Sequence, residues 1–298
     1  MKVIRESGGE HGDCLMSYID FESTVLGFSE DITLFWGYQH PSGLHSPDHQ
    51  GNLVHMNLGE PFDVVYSNCP YTVDWLNETH FKSEKYKVGS FVLNEKYVPT
   101  EGFEKNKEVC YWGNTFIEKT NVVKDIVESI SEFDYHYFTM LTDGNIHFAR
   151  KYATGVNLPR KNLWEAIRTC KIMVIQNLLY LSQPEIEGVK RLPDYIKNEA
   201  FQHLHTDTIP QIKTRGFEAA FNKTLMLVKR DPWNVIEHWF EPEVDFVYYD
   251  SESQLKSKIR DILENWVDYK QIVENAYDKA VSNYTTKNLI KKIVKENY

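Results

Sequence analysis

The stretch KTRGFEAAFNKTLMLVKR, residues 213–230, carries a carboxylate in an unusual place. Glu218 stands between Phe217 and two alanines, just ahead of the apolar run Leu225–Val228. This pattern predicts a short buried helix that leads into a buried strand. Because burying a lone carboxylate is costly unless something binds it, Glu218 requires a partner or a ligand.

Strand and helix patterns alternate on both sides of this stretch. Upstream, helical segments separate strand-like runs at Val109–Trp112, Tyr135–Leu141 and Ile172–Gln176. Downstream, the strand-like run Phe246–Tyr249 precedes a helical pattern over Gln254–Trp266. Such alternation implies parallel strands joined by crossover helices, and therefore a doubly wound α/β sheet. Ligands of these sheets bind at the carboxyl ends of the strands.

The length of the chain favours two domains. It has 298 residues, and the polar segment YVPTEGFEKNKE (97–108) separates two halves that both contain strand-like runs. Domain boundaries fall in exposed segments of this composition. We therefore predict an N-terminal α/β domain over residues 1–104 and a C-terminal α/β domain over residues 105–298.

Composition and charge exclude several classes of protein. Hydrophobic residues make up 42% of the chain and the net charge is -10, which favours a compact fold and disfavours a nucleic-acid partner. The four cysteines form no CxxC pair, which argues against a zinc knuckle and a disulfide scaffold. The N-terminus lacks a signal-peptide core, and the longest apolar stretch, Ile172–Leu181, is too short to span a bilayer. We expect a soluble cytoplasmic protein without a transmembrane segment.

Three segments carry a family resemblance: RGFEAAFNKTLMLVKR (215–230), FEPEVDFVYYDSESQLKSKIRDIL (240–263) and YKQIVENAYDKAVSNYTT (269–286). They resemble the C-terminal domain of nucleotide-sugar glycosyltransferases of the GT-B fold, of the spore-coat and group 1 type. The resemblance begins near Glu108 and is specific from Lys213 onward. It implies two Rossmann-like domains facing a cleft, with a terminal helix that returns to the N-terminal domain.

The resemblance also implies an activity. A hexosyl- or pentosyltransferase of this kind moves a sugar from a nucleoside-diphosphate donor to a hydroxyl of a glycan or other acceptor. A nucleotide-sugar epimerase of the same fold and a catalytically silent sugar-nucleotide or glycan-binding module are the alternatives. Many retaining members carry a second Glu about two helical turns before the ribose-binding one, where this chain has Pro210. The anomeric outcome therefore stays open.

Two residues are implied at the donor ribose. Glu218 matches the family's Glu that hydrogen-bonds the ribose hydroxyls, and Arg215 matches a basic residue just before it. The chemistry agrees, because a carboxylate has enough lone pairs to accept from both hydroxyls of a ribose. The competing interpretation makes Glu218 a structural cap or the ion-pair partner of Arg215.

Other residues are candidates for the donor phosphates. CYWGNT (110–115) resembles the family's first strand and turn, where Gly113 and Asn114 would bring backbone N–H groups close to the diphosphate. Arg150 and Lys151 would neutralise its charge. An ordinary turn and a solvated surface pair are the respective alternatives.

Glu60 is the candidate for acid–base chemistry or acceptor positioning, because it follows a strand-like run that would end at the cleft. A surface turn carboxylate is the alternative. GT-B enzymes generally work without a metal, and the Asp-x-Asp segment of the other large glycosyltransferase fold is absent from this chain. We therefore expect no metal and no cofactor besides the nucleotide-sugar donor.

Overall fold

The computed structural model describes residues 2–5, 33–38, 64–67, 70–75, 77, 86–90, 93, 98–99, 104–113, 120–181, 183, 186–187 and 207–297. The chain divides into two compact units. The first unit comprises Met1–Glu95, Asn177–Ile212 and Tyr284–Tyr298, and the second comprises Lys96–Gln176 and Lys213–Asn283. Asn114 and Glu60 lie outside the described residues.

The first unit contains a parallel four-stranded sheet in the order β1-β2-β3-β4. Its strands are β1 (Lys2–Arg5), β2 (Thr33–Tyr38), β3 (Val64–Ser67) and β4 (Tyr86–Val88). Helix α1 (Pro70–Trp75) follows β3. The strands β9 (Leu178–Tyr180) and β10 (Thr208–Pro210), which fall later in the sequence, form an antiparallel pair.

The last helix begins beside the segment that precedes the second unit. The backbone N–H of Leu93 donates to the carbonyl oxygen of Tyr284 over 3.0 Å, and Leu93 forms a parallel bridge with Thr285. Helix α8 (Thr286–Asn297) starts immediately afterwards. Its start is therefore fixed by backbone hydrogen bonding within the first unit.

The second unit is built on six parallel strands in the order β12-β11-β8-β5-β6-β7. They are β5 (Lys107–Trp112), β6 (Tyr135–Thr139), β7 (Gly155–Val156), β8 (Cys170–Ile175), β11 (Leu225–Lys229) and β12 (Val247–Tyr249). The helices are α2 (Thr120–Ile130), α3 (Ile146–Tyr152), α4 (Arg160–Arg168), α5 (Thr214–Phe221), α6 (Glu252–Glu264) and α7 (Trp266–Asn283). The predicted α/β class with parallel strands is confirmed.

A hydrophobic core fills one face of this sheet. Alternate residues of the central strands, such as Val109, Ile172 and Leu225, pack against the apolar stripes of α2 and α6. The opposite face receives α5, which packs against β8, β11, α4 and α7. Among the described residues, no helix has the length and apolarity needed to cross a membrane.

The order of the strands determines where a ligand would bind. The chain moves outward from β5 to β6 and β7, and then crosses to β8 on the other side of β5. The carboxyl ends of β5 and β8 therefore flank a topological switch point, where open parallel sheets leave a crevice. Helix α5 directly precedes β11 in the chain, so it runs antiparallel to the strands. Its first turn therefore lies at the same edge as the carboxyl ends of the strands.

At the opposite edge, one half-buried lysine joins the ends of two helices. Lys105 Nζ donates to the carbonyl oxygens of Arg168 (2.8 Å) and Asn222 (3.1 Å) and to Thr224 Oγ1 (3.1 Å). These carbonyls stand at the ends of α4 and α5, where cations are stabilised. Burial lowers the pKa of the Lys105 ammonium to about 8, with Arg168 and Lys223 lowering it and Cys170 and Cys110 raising it.

We predict that Lys105 makes stability depend on pH in one direction. The lowered pKa means that, between about pH 8 and pH 10.5, the unfolded chain holds a proton that the folded chain has released. The free energy of unfolding of the native chain, relative to a Lys105→Met variant, should therefore rise with pH across this window, by at most about 3 kcal/mol. Urea titrations of both proteins at pH 7, 8, 9 and 10 measure the difference. A difference that stays flat or falls would mean that the folded chain keeps the ammonium charged.

Candidate functional site

Helix α5 brings Glu218 and Arg215 to the switch point. Arg215 lies in the first turn, at the carboxyl edge of the sheet, and Glu218 lies one turn deeper. All residues of α5 except Arg215 are buried, which the small side chains of Gly216, Ala219 and Ala220 permit by letting the helix approach the sheet. The helix therefore carries its carboxylate into the interior of the unit.

Two tryptophans bind the Glu218 carboxylate. Glu218 is only 1% exposed. The indole N–H of Trp112 donates to Oε2 over 2.9 Å, and the indole N–H of Trp164 donates to Oε1 over 3.4 Å. From the described residues, each oxygen thus receives a neutral donor, which offsets part of the cost of burying the charge. Because each carboxylate oxygen has two lone pairs, these bonds do not exhaust its capacity as an acceptor.

Arg215 lies against aromatic rings. Its guanidinium carbon is 5.5 Å from the centroid of the Tyr111 ring and 5.0 Å from that of Trp112. Within the part of the chain that the structure describes, Nε and Nη1 are buried without a hydrogen-bond partner, and no ion pair joins Arg215 to Glu218. Since buried guanidinium nitrogens are costly without an acceptor, these two atoms make the cation suited to an incoming anion.

Gly113 makes room for Arg215. A Cβ atom at Gly113 would lie 2.9 Å from Arg215 Nη2 and 2.7 Å from Tyr111 Oη, distances too short for real contacts. The N–H of Gly113 donates to the carbonyl oxygen of Phe138 over 3.0 Å, and its own carbonyl oxygen accepts from the Tyr137 hydroxyl over 3.3 Å. The N–H that we expected near the donor phosphates is therefore hydrogen-bonded within the sheet. What Gly113 contributes to the site is the absence of a side chain.

Further polar atoms gather at the same edge. Strands β5 and β8 are neighbours in the sheet, and Gly113 and Gln176 are the residues that directly follow them. Gln176 is 6% exposed, and its Oε1 is buried without a hydrogen-bond partner in the described region, as is Tyr111 Oη. Unpaired polar atoms at a switch point favour a polar ligand.

The surroundings of the nearby Cys110 disfavour its thiolate form. Burial raises the pKa of the Cys110 thiol well above its ordinary value, and the contact with Cys170 and the charge of Glu218 act in the same direction. Because only a thiolate is a strong nucleophile, these surroundings make Cys110 a poor candidate for nucleophilic chemistry.

The structure does not bring Arg150 and Lys151 to this cluster. Both are exposed and lie in the last turn of α3, on the way back from the carboxyl edge. Lys151 Nζ lies 4.6 Å from the centroid of the Tyr152 ring. No group of three or more His, Cys, Asp or Glu residues suited to a metal ion occurs among the described residues.

Sequence reasoning did not select the two tryptophans, Tyr111 or Gln176. Trp112 and Gln176 each stand at the end of a predicted strand, which is where ligand-binding residues of such sheets occur. That position was the available signal for both. Trp164 had none, because an apolar residue on a helix is ordinarily read as core.

Comparison with known proteins connects this site to a family. The sequence profile described as "Glycosyl transferase-like" matches residues 119–295, more than half of the chain. A search among curated proteins finds no significant match.

Several solved structures share the fold. Sucrose-phosphate synthase from Thermosynechococcus elongatus has a TM-score of 0.60 at 11% identity, over 99% of this chain and 72% of that one. HepE from Anabaena, solved with UDP-glucose, has a TM-score of 0.59 at 13% identity, over 89% and 71%. TarM from S. aureus has a TM-score of 0.56 at 11% identity, over 91% and 51%, so this chain spans about half of its length. These neighbours are GT-B glycosyltransferases, which confirms the predicted fold class.

A pair of glycine substitutions tests the packing around Arg215. Gly113→Ala should destabilise the fold by about 1 to 3 kcal/mol, because its Cβ meets the buried Tyr111 hydroxyl. Gly216→Ala is the control, since its Cβ would meet Ile236 Cδ1 at 3.5 Å and Met226 Sδ at 3.7 Å, which are ordinary contacts. It should stabilise α5 by roughly 0.5 to 1 kcal/mol through helix propensity. Chemical denaturation of the three proteins measures both effects, and equal changes in the two variants would contradict this packing.

Proposed function

Because the chain belongs to the glycosyl transferase-like family, we propose that it transfers a sugar from a nucleoside-diphosphate donor to a hydroxyl of a glycan or other acceptor. The observation that carries this proposal is the pair Glu218 and Arg215 in successive turns of one helix at the switch point. One side chain accepts hydrogen bonds from hydroxyls, and the other binds an anion. A nucleoside diphosphate offers both groups a few ångströms apart.

Glu218 would hold the donor ribose. Vicinal hydroxyls donate to a carboxylate through two charge-assisted hydrogen bonds, which are stronger than bonds between neutral groups. The HepE and TarM structures were solved with UDP, which supports a nucleotide-binding role for a chain of this fold. Glu218 and Arg215 contact neither the base nor the sugar of the donor in this proposal, so they do not determine which donor is bound.

Arg215 would bind the diphosphate. Its Nε and Nη1 lack a partner within the described residues, and an anionic oxygen would supply one. As the bond between the anomeric carbon and the phosphate oxygen breaks, negative charge grows on the leaving diphosphate. A fixed guanidinium stabilises this charge more in the transition state than in the ground state, and so accelerates transfer.

The acceptor side completes the reaction. An acceptor hydroxyl oxygen forms a bond to the anomeric carbon, the bond to the diphosphate breaks, and the hydroxyl proton passes to a base. We propose that Glu60 takes this proton or positions the acceptor, because it follows a strand-like run in the sequence. Replacing it with Gln should lower kcat and leave donor affinity unchanged.

Acceptor-dependent release of nucleoside diphosphate tests the activity. A thermal-shift screen against UDP-, GDP-, dTDP- and ADP-sugars identifies the donor, since a ligand that binds only the native state raises its melting temperature. Release of nucleoside diphosphate should then depend on added acceptor. Interconversion of the donor sugar without release would favour an epimerase, and binding without either reaction would favour a binding module.

Glu218→Gln should weaken donor binding roughly ten- to a hundredfold, because charge-assisted hydrogen bonds worth about 1.5 to 3 kcal/mol are lost. The fold should lose about 1 to 2 kcal/mol, because one indole N–H then faces an amide NH2 in place of an acceptor. Calorimetry at a temperature where the variant is folded measures affinity.

The control for this variant is Glu165→Gln, the same change at an exposed residue of α4. It should alter neither donor affinity nor stability. Reduced stability of Glu218→Gln with unchanged donor affinity would show that Glu218 serves only the structure.

Transfer should also survive removal of divalent metal. Arg215 supplies positive charge at the diphosphate, and the chain lacks an Asp-x-Asp segment that would hold a metal. Most of the transfer activity should remain after dialysis against EDTA. Complete loss that manganese or magnesium restores would reject the metal-independent mechanism.

A further inference from the structure

The two indoles that bind Glu218 differ in their surroundings. Trp164 is 6% exposed and comes from the interior side of α4. Trp112 is half-buried and stands at the carboxyl end of β5, where the crevice opens. One donor is therefore enclosed by the protein, and the other lies where a ligand would enter.

A ligand cannot reach Glu218 in this arrangement. With the residue 1% exposed, a ribose hydroxyl needs a neighbouring group to withdraw before it contacts the carboxylate. Among the described residues, Trp112 is the donor to Glu218 that stands at the crevice, with its N–H 2.9 Å from Oε2. Because the Trp112 indole stands on the crevice side of Oε2, a ribose hydroxyl that enters from the crevice takes the position of its N–H.

We propose that Trp112 and Trp164 are positioning residues for Glu218 with opposite effects on nucleotide affinity. Trp164 holds Oε1 and fixes the orientation of the carboxylate. Trp112 caps Oε2 until ribose hydroxyls displace its indole N–H. This inference rests on the proposed function, because it requires that the ligand of Glu218 is a ribose.

Trp164 acts from a side that the ligand does not reach. Its hydrogen bond to Oε1 is buried and spans from α4 to α5. A Trp164→Phe change keeps an aromatic ring but leaves Oε1 without this donor, so the carboxylate gains rotational freedom that ribose binding must then remove. Affinity for a nucleotide with both hydroxyls should fall about threefold to tenfold.

Trp112 acts as a competitor. A Trp112→Phe change removes the N–H that the ribose has to displace, while a ring remains to face the Arg215 guanidinium, now 5.0 Å from the Trp112 ring centroid. The unliganded state loses a hydrogen bond that the liganded state never had. Affinity for the same nucleotide should rise about threefold to tenfold.

The ribose hydroxyls provide the readout that separates positioning from packing. Each variant is titrated with UDP, GDP or ADP, whichever raises the melting temperature of the native protein most, and with its 2′,3′-dideoxy counterpart. The ratio of the two dissociation constants reports the hydroxyl contacts alone. Trp164→Phe should lower the native preference for hydroxyls, and Trp112→Phe should raise it. A packing defect shifts the melting temperature and leaves the ratio unchanged.

Trp266→Phe is the matched control. Trp266 is half-buried at the start of α7, and Lys171 Nζ lies 5.9 Å from its ring centroid, so the same substitution there should not change the ratio. In native protein labelled on the indole nitrogens, nucleotide should shift the N–H resonance of Trp112 and leave that of Trp164 in place. This spectrum tests the proposal even if a variant fails to fold.

The outcomes distinguish a failure of the positioning roles from a failure of the proposed function. A native preference for hydroxyls, with Trp112 and Trp164 variants that behave like Trp266→Phe, overturns the positioning roles and leaves the proposed function standing. A native protein that binds none of UDP, GDP, ADP and dTDP overturns the proposed function, and one that binds the dideoxy form equally well overturns the assignment of Glu218 to the ribose; either result overturns this inference as well. An unshifted Trp112 resonance in the saturated complex contradicts the displacement step.

Discussion

Helix α5 carries a carboxylate into the interior of the second unit, and the surrounding elements have to hold its charge. Seven of the eight residues of α5 are buried, Glu218 among them. Strand β5 and helix α4 each supply an indole N–H to this side chain. The mutual placement of β5, α4 and α5 is therefore tied to the cost of burying one charge.

The same helix keeps a cation and an anion apart. Arg215 and Glu218 are three residues from each other, yet Glu218 accepts from neutral indoles and Arg215 lies against aromatic faces. A direct ion pair would satisfy both and leave little for a ligand to gain. Because Gly113 has no side chain, the guanidinium fits at the edge of the sheet, where an anion from solvent could meet it. Both charges are thus held by groups other than each other, which leaves each of them suited to a polar ligand.

Sequence patterns predicted the parts of the fold that depend on local periodicity. The strands at Cys170–Ile175 and Leu225–Lys229 lie where apolar runs placed them, but the predicted strand Tyr135–Leu141 ends at Thr139 because its last two residues leave the ladder and are exposed. Strand β7 has two residues, too few for a pattern. The burial of Glu218 could be predicted from the apolar residues next to it in the sequence. Its hydrogen-bond partners could not, because Trp112 and Trp164 lie 106 and 54 residues before it. Only the completed sheet brings such distant residues together.

The most direct test of this account is a crystal structure of the protein with the nucleoside diphosphate that stabilises it most. The account predicts ribose oxygens at hydrogen-bonding distance from the Glu218 carboxylate, about 2.5 to 3.0 Å, and a phosphate oxygen on Nε or Nη1 of Arg215. A nucleotide bound elsewhere, with both indoles still donating to Glu218, would contradict it.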